Sequence, residues 1–122
     1  MHQLDKPTIV LYHNSDVLDE MLLPLFNGLE EEGIPWSTNL IEGYDDVRMA
    51  SDAAQTSMLA VGIGVSPDAV TLTYKNIMPP HYVFRLHSYS CHAESLRLLG
   101  CNAARLVKGI PFSFDSQLEV VF

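Results

Sequence analysis

Three predicted strands in the first half of the chain are separated by two segments whose apolar side chains recur at helical spacing. The strands cover 8–12, 35–41 and 58–65, and the first and third are apolar runs continuous enough to be buried on both faces. Because crossovers between parallel strands are right-handed, such units place helices on both faces of one sheet. The pattern therefore predicts an α/β domain that begins with three parallel strands.

The ends of the two intervening helices can be predicted from single residues. Pro24 is tolerated in a first turn, so the first helix should begin near Leu23 and end at Gly33, which can adopt the left-handed C′ conformation. Asp45 and Asp46 suit the start of the second helix, because acidic side chains favour that end. Small residues in this helix predict close packing on the sheet.

The second half adds two strands, a helix and a tail. A tight turn at 66–68 makes the strand at 69–74 antiparallel, and a fifth strand is predicted at 82–86. We expect Ser88 or Ser90 to cap the last helix and Gly100 to loosen it midway. The aromatic tail after it is either a partner strand or a loosely ordered end. The predicted fold is one domain over 1–122, a three-layer α/β/α arrangement with a five-stranded mixed sheet whose fourth strand is antiparallel.

Composition and charge exclude several functions. With 122 residues, 48% hydrophobic and 18% charged, the chain is expected to fold as one globular domain. No apolar run approaches the ~20 residues of a membrane span, no signal-peptide pattern is present, and Cys91 and Cys101 are expected to be reduced in the cytoplasm. The net charge of −8 argues against nucleic acid, and 12 of the 15 acidic side chains precede residue 71.

Three adjacent carboxylates, Glu30, Glu31 and Glu32, would occupy the last turn of the first helix. A helix C-terminus already carries about half a negative charge, so each misplaced anion costs about 0.3–1 kcal/mol. A local rule broken without visible compensation indicates function. The alternative, a solvated acidic helix end, is favoured by spacing alone.

Other candidate sites are weak. The Gly62–Gly64 segment lies inside a strand, which indicates close packing and not a phosphate cradle. The spacing of four possible metal ligands matches no zinc motif, and a thiol nucleophile lacks an evident orienting group. These ligands are His87, Cys91, His92 and Cys101.

The basic side chains are no more decisive. Lys75 and Asn76 could be a solvated turn, and Arg97, Arg105 and Lys108 are expected to be helix-surface charges. On the residues alone, a binding or assembly module is better supported than an enzyme.

Several segments together resemble a known family, the small subunit of the reactivating factor for coenzyme-B12-dependent diol and glycerol dehydratases. The resemblance covers about residues 8 to 112 and departs from the family pattern at Cys101 and in the longer tail. The segments that carry it are Glu30-Glu31-Glu32-Gly33-Ile34-Pro35, Leu59-Ala60-Val61-Gly62-Ile63, Tyr74-Lys75-Asn76 and 102–112.

The resemblance implies a fold like that of the dehydratase medium subunit, and a non-catalytic role. The small subunit docks on a large, actin-like ATPase subunit, expected in a two-plus-two heterotetramer. When a dehydratase holds damaged cobalamin, the large subunit exchanges the small subunit for the enzyme's medium subunit and the cofactor leaves. ATP or ADP belongs to the partner, and this chain alone binds no cofactor.

The resemblance also assigns residues. Glu31 would be a ligand to a divalent cation, Mg²⁺ or Ca²⁺, shared with the large subunit, since hard cations take carboxylate oxygens. Glu30, Glu32, Lys75 and Asn76 would contact the partner. The alternatives are a medium subunit or assembly module of a B12-dependent dehydratase, or a small thiol enzyme. The preferred diol and an association with a bacterial microcompartment stay open.

Overall fold

The computed structural model describes residues 7–120, which form three α-helices and one sheet. A short 3-10 turn precedes the first helix and another precedes the third. The elements in chain order are β1 (Ile9–His13), α1 (Leu23–Glu32), β2 (Trp36–Leu40), α2 (Asp46–Thr56), β3 (Val61–Val65), β4 (Ala69–Tyr74), β5 (Phe84–His87), α3 (Ala93–Lys108) and β6 (Glu119–Val120).

The sheet has the order β2-β1-β3-β4-β5-β6, and β1 is parallel to both of its neighbours. β4 is antiparallel to β3 and to β5, which confirms the predicted mixed sheet with an antiparallel fourth strand. The tail supplies a sixth strand that was not among the five predicted. It is short, with Glu119 and Val120 paired to Arg85 and Phe84 on β5.

The two faces of the sheet are covered differently. Val61, Ile63 and Val65 of β3 join the main core, which includes buried leucines of α1 and α3. Between them, Gly62 and Gly64 face α2, because successive strand residues point to opposite faces. A Cβ on Gly62 would lie 2.2 Å from the Ala54 backbone nitrogen. The predicted close packing is confirmed, and it brings the small-residue face of α2 directly onto the strand.

The helices begin and end largely as expected. α1 starts at Leu23 and stops at Gly33, whose φ of 77° is left-handed. Asp45 caps α2 by accepting a hydrogen bond of 2.8 Å from the Arg48 backbone N–H. The predicted serine cap of α3 is wrong: the N-cap is His92, without a side-chain bond.

Two glycines let α1 and α3 approach each other closely. A Cβ on Gly28 would lie 2.1 Å from the Arg97 carbonyl oxygen, and one on Gly100 would lie 2.2 Å from the Leu25 carbonyl oxygen. α3 is continuous through Gly100, so the expectation that this glycine loosens the helix is wrong. The glycine serves the helix crossing, and the crossing aligns the end of α1 with basic side chains of α3.

The tail is held against the core before it reaches β6. Phe112 packs edge-on against Phe84, with ring centroids 5.1 Å apart. The Asn102 amide donates to the Ser113 carbonyl oxygen at 2.7 Å and accepts from the Ser113 N–H at 2.8 Å. These contacts favour the partner-strand alternative for the tail. Among residues 7–120, no helix is long and apolar enough to cross a membrane.

Candidate functional site

The three glutamates lie at the edge of the sheet where the parallel strands begin. α1 runs back from the end of β1 to the start of β2, so its last turn reaches that edge. Glu30 is exposed, the Glu31 side chain is 49% exposed, and the Glu32 side chain is only 16% exposed. Three identical neighbours therefore have three different environments.

Glu32 connects α1 to the last turns of α3. Its Oε2 accepts hydrogen bonds from Arg105 Nε at 3.1 Å and Nη2 at 3.0 Å, and its Oε1 accepts one from Lys108 Nζ at 3.0 Å. Hydrogen bonds from Lys108 and then from Arg105 hold the pKa of the Glu32 carboxyl below its usual range. The expectation that the helix-end charge is uncompensated is wrong here, because α3 supplies two cations.

Glu31 is anchored through one oxygen. Its Oε1 accepts a hydrogen bond of 2.7 Å from Arg97 Nη1, and the same guanidinium binds Glu94 through Nε at 2.9 Å and Nη2 at 2.5 Å. Glu94, and less strongly Glu31, raise the pKa of Arg97. In the described part of the chain, Oε2 of Glu31 makes no hydrogen bond. The carboxylate is thus fixed in position with one oxygen left for another ligand.

Cys101 lies beneath this carboxylate. Its Sγ is 4.0 Å from Glu31 Oε1 and 3.7 Å from Arg97 Nη1. Burial, and then the nearby Glu31 charge, raise the pKa of the Cys101 thiol. Because the thiolate is the reactive form, this environment disfavours a nucleophilic role for Cys101.

The exposed carboxylates border an open cleft of about 390 Å³ lined by Asn27, Glu30, Glu31 and Arg97. Carboxylate oxygens and an amide suit a hard cation. Within residues 7–120, no group of three or more His, Cys, Asp and Glu side chains is placed to hold a metal ion. A cation bound at Glu31 would therefore need further ligands from another molecule. The four His and Cys candidates do not form a set, since His87 instead contacts Glu119 at 3.5 Å.

Lys75 and Asn76 follow β4, whose end lies beside the start of β3 at the same edge as the glutamates. They belong to the other side of the sheet, next to α2. The Gln55 side chain donates to the Lys75 carbonyl oxygen at 2.8 Å, and the Lys75 N–H donates to the Ala60 carbonyl oxygen at 2.8 Å. The structure therefore brings Lys75 and the glutamates to one edge without joining them.

Sequence reasoning missed the α3 partners of the glutamates. Arg97 and Arg105 are two i,i+4 steps apart and Lys108 follows one turn later, so they share a face of α3. Together with Gly28 and Gly100, that periodicity was the available signal for a tight helix pair with matched charges.

A second missed contact is the buried ion pair of Asp46. Its carboxylate accepts bonds from Arg85 Nε at 2.9 Å and Nη2 at 3.0 Å, and from Thr71 Oγ1 at 2.5 Å. Asp46 is 3% exposed. These buried bonds to Thr71 and Arg85 therefore fix the start of α2 to β4 and β5. Sequence had identified Asp46 only as a helix start.

Comparisons with known proteins agree with this architecture. The family described as dehydratase medium subunit matches residues 6–113. That match spans most of the chain and decides the family.

The chain belongs to the dehydratase medium subunit family.

Its relatives are reactivating-factor subunits, which confirms the resemblance seen in the sequence. The chain is 40% identical over 112 residues to the propanediol dehydratase-reactivating factor small subunit of Citrobacter freundii, with 89% of this chain and 92% of the relative covered. It is 37% identical over 97 residues to the diol dehydratase-reactivating factor small subunit of Klebsiella michiganensis, with 80% and 77% covered.

Two solved structures share the fold. A chain of diol dehydratase-reactivating factor, complexed with ADP and Mg²⁺, superposes with a TM-score of 0.83 at 34% identity, covering 90% of this chain and 100% of that one. A chain of glycerol dehydratase reactivase gives 0.82 at 31% identity, covering 89% and 98%. The match extends over nearly the whole of both known chains.

Proposed function

We propose that this chain is the non-catalytic small subunit of an ATP-dependent, chaperone-like reactivase that frees damaged cobalamin from an inactivated diol or glycerol dehydratase. The similarity to reactivating-factor small subunits, in sequence and in fold, supports this assignment most strongly. The chain docks on a large subunit that binds and hydrolyses ATP. The large subunit exchanges it for the medium subunit of the dehydratase, which opens the enzyme.

Glu31 is the residue through which docking depends on a cation. Its carboxylate is half exposed beside an open cleft, and Arg97 fixes one oxygen while the other faces no partner among the described residues. Mg²⁺ or Ca²⁺ would supply positive charge there, and the other ligands would come from the large subunit. The presence of ADP and Mg²⁺ in the related diol dehydratase-reactivating factor supports this arrangement.

The neighbouring residues complete the contact. Glu30 is exposed on the rim of the cleft and offers a second carboxylate to the partner. Glu32 fixes the end of α1 against α3 and adds to the local negative field. Lys75 and Asn76 contact the same partner from the α2 side of the edge. Two such chains and two large subunits form the complex.

The assignment is tested by reconstitution. The purified chain is mixed with its large subunit, and reactivation of a dehydratase inactivated with damaged cobalamin is measured with ATP and Mg²⁺. We expect complex formation and reactivation by the pair. Glu31→Gln should weaken both, whereas Glu20→Gln, a change at an exposed glutamate in the 3-10 turn before α1, should change neither. Failure of the wild-type chain to bind the large subunit would refute the assignment.

One alternative has specific support, because the matching family is named for the dehydratase medium subunit. A medium subunit would take part in a cobalamin-binding enzyme. A spectral change of cobalamin on addition of this chain together with the other dehydratase subunits would favour that alternative.

A further inference from the structure

Lys75 has an unusual position among the basic side chains. Every other lysine and arginine in residues 7–120 forms an ion pair with a carboxylate of the same chain. Within the same range the Lys75 amine has no such partner, although the sequence carries 15 acidic side chains and only 7 basic ones. Its positive charge is thus available to a carboxylate from another molecule.

Lys75 stands at one end of a groove of about 550 Å³ between α2 and the segment 75–79. Met78, which is 62% exposed, and Pro79 provide an apolar wall. The opposite wall is the outer side of α2, lined by Arg48, Ser51, Asp52 and Gln55. Gln55 holds the Lys75 carbonyl oxygen at 2.8 Å, so the backbone at this end is fixed and only the amine is free to meet a ligand.

The groove continues beyond its first cavity. Arg48 and Pro79 also line an adjoining cleft of about 390 Å³ that reaches Arg85 and the start of α2. The two cavities together follow α2 along most of its length. An elongated groove with one apolar wall suits an extended peptide segment better than a compact small molecule.

We propose that this groove holds an extended acidic segment of the partner protein, with a carboxylate on Lys75 and a neighbouring apolar side chain against Met78 and Pro79. This inference rests on the proposed function, since the partner is the large reactivase subunit. The Lys75 end of the groove and the Glu31 cleft lie at the same edge of the sheet, on opposite sides. The partner would therefore contact this edge on both sides, through a cation at Glu31 and through an acidic segment at Lys75.

The test measures binding of variants to the immobilised large subunit at several salt concentrations. Lys75→Glu should weaken binding about tenfold, because it places like charges together, whereas Lys75→Arg keeps the charge and should stay within about twofold. The salt dependence of binding should be weaker for Lys75→Gln than for the wild type. Met78→Ser should weaken binding by about three- to tenfold through lost apolar contact.

Both positions are exposed, so circular dichroism and the thermal midpoint should be unchanged in every variant. A photo-crosslinker at position 78 should capture an acidic segment of the large subunit. If the wild type binds the large subunit and Lys75→Glu binds it with the same affinity and the same salt dependence, this inference is overturned. The proposed function would still hold. Capture of a segment without acidic residues would also overturn it. Absence of wild-type binding would instead refute the proposed function.

Discussion

Replacing Glu32 by glutamine separates the structural role of one glutamate from the binding role of its neighbour. Glutamine keeps the size of the side chain and removes the charge. The change weakens three charge-assisted hydrogen bonds, two from Arg105 and one from Lys108. The loss is offset in part, because removing the anion also removes its unfavourable interaction with the C-terminal end of α1.

The magnitude follows from the burial of the partners. Hydrogen bonds to charged groups contribute about 1.5–3 kcal/mol when buried, and exposed ion pairs contribute less than about 1 kcal/mol. Glu32 is 16% exposed, while Arg105 and Lys108 are 26% and 34% exposed. We therefore expect a loss of about 2 kcal/mol in the free energy of unfolding at pH 7. For a chain of this size the thermal midpoint should fall by roughly 6–10 °C.

The stabilisation that Glu32 provides depends on pH. The folded state lowers the pKa of Glu32, so the ionised form stabilises the fold. That contribution is fully present above the ordinary pKa of 4.5 and is lost as pH falls through the lower, folded pKa. The gap between wild type and Glu32→Gln should therefore shrink as pH falls below about 4.5.

The assay is thermal unfolding followed by circular dichroism between pH 3 and pH 7. Glu30→Gln is the matched control, because Glu30 is exposed at the same helix end. It should change stability by less than about 0.5 kcal/mol. Equal thermal midpoints for Glu32→Gln and the wild type at pH 7 would refute the conclusion that the Glu32 ion pairs stabilise the contact of α1 with α3. A difference in midpoint that does not depend on pH would refute it as well.

Three further predictions test other parts of the structure. Gly28→Ala should destabilise by more than about 3 kcal/mol in urea unfolding, because the new methyl group would collide with the α3 backbone; an unchanged midpoint would contradict the close crossing. Asp46→Asn should lose about 2–4 kcal/mol by breaking the buried pair with Arg85, and a loss below about 0.5 kcal/mol would show the pair to be unimportant. In thiol titration, exposed Cys91 should react at once and buried Cys101 only on unfolding; equal rates would contradict the burial.

Local periodicity was sufficient to predict most of the fold. Continuous apolar runs located the buried strands, and Pro24 and Gly33 located the ends of α1. The strand β6 could not be predicted in the same way. Only two of its residues pair, and their pairing depends on Phe112 packing against Phe84, a contact between distant parts of the chain.

From sequence the run of glutamates could be placed in the last turn of α1, but its contacts could not be predicted. Family resemblance singled out Glu31 as a metal ligand, and that role stays a prediction. Sequence could not show that Glu32 is bound by Arg105 and Lys108, because that contact depends on how α1 crosses α3. The crossing depends in turn on the close approach of Gly28 to the α3 backbone at Arg97. These two residues are far apart in the sequence.

The proposed docking rests on a divalent cation that Glu31 shares with the large subunit. The most direct measurement is the dissociation constant of the two subunits, for wild type and Glu31→Gln, with Mg²⁺ and with a chelator. We predict that chelation weakens wild-type binding at least about tenfold, which corresponds to ~1.4 kcal/mol. Glu31→Gln should bind as weakly as chelated wild type and should not respond to Mg²⁺. Wild-type affinity and wild-type Mg²⁺ dependence in Glu31→Gln would contradict the account.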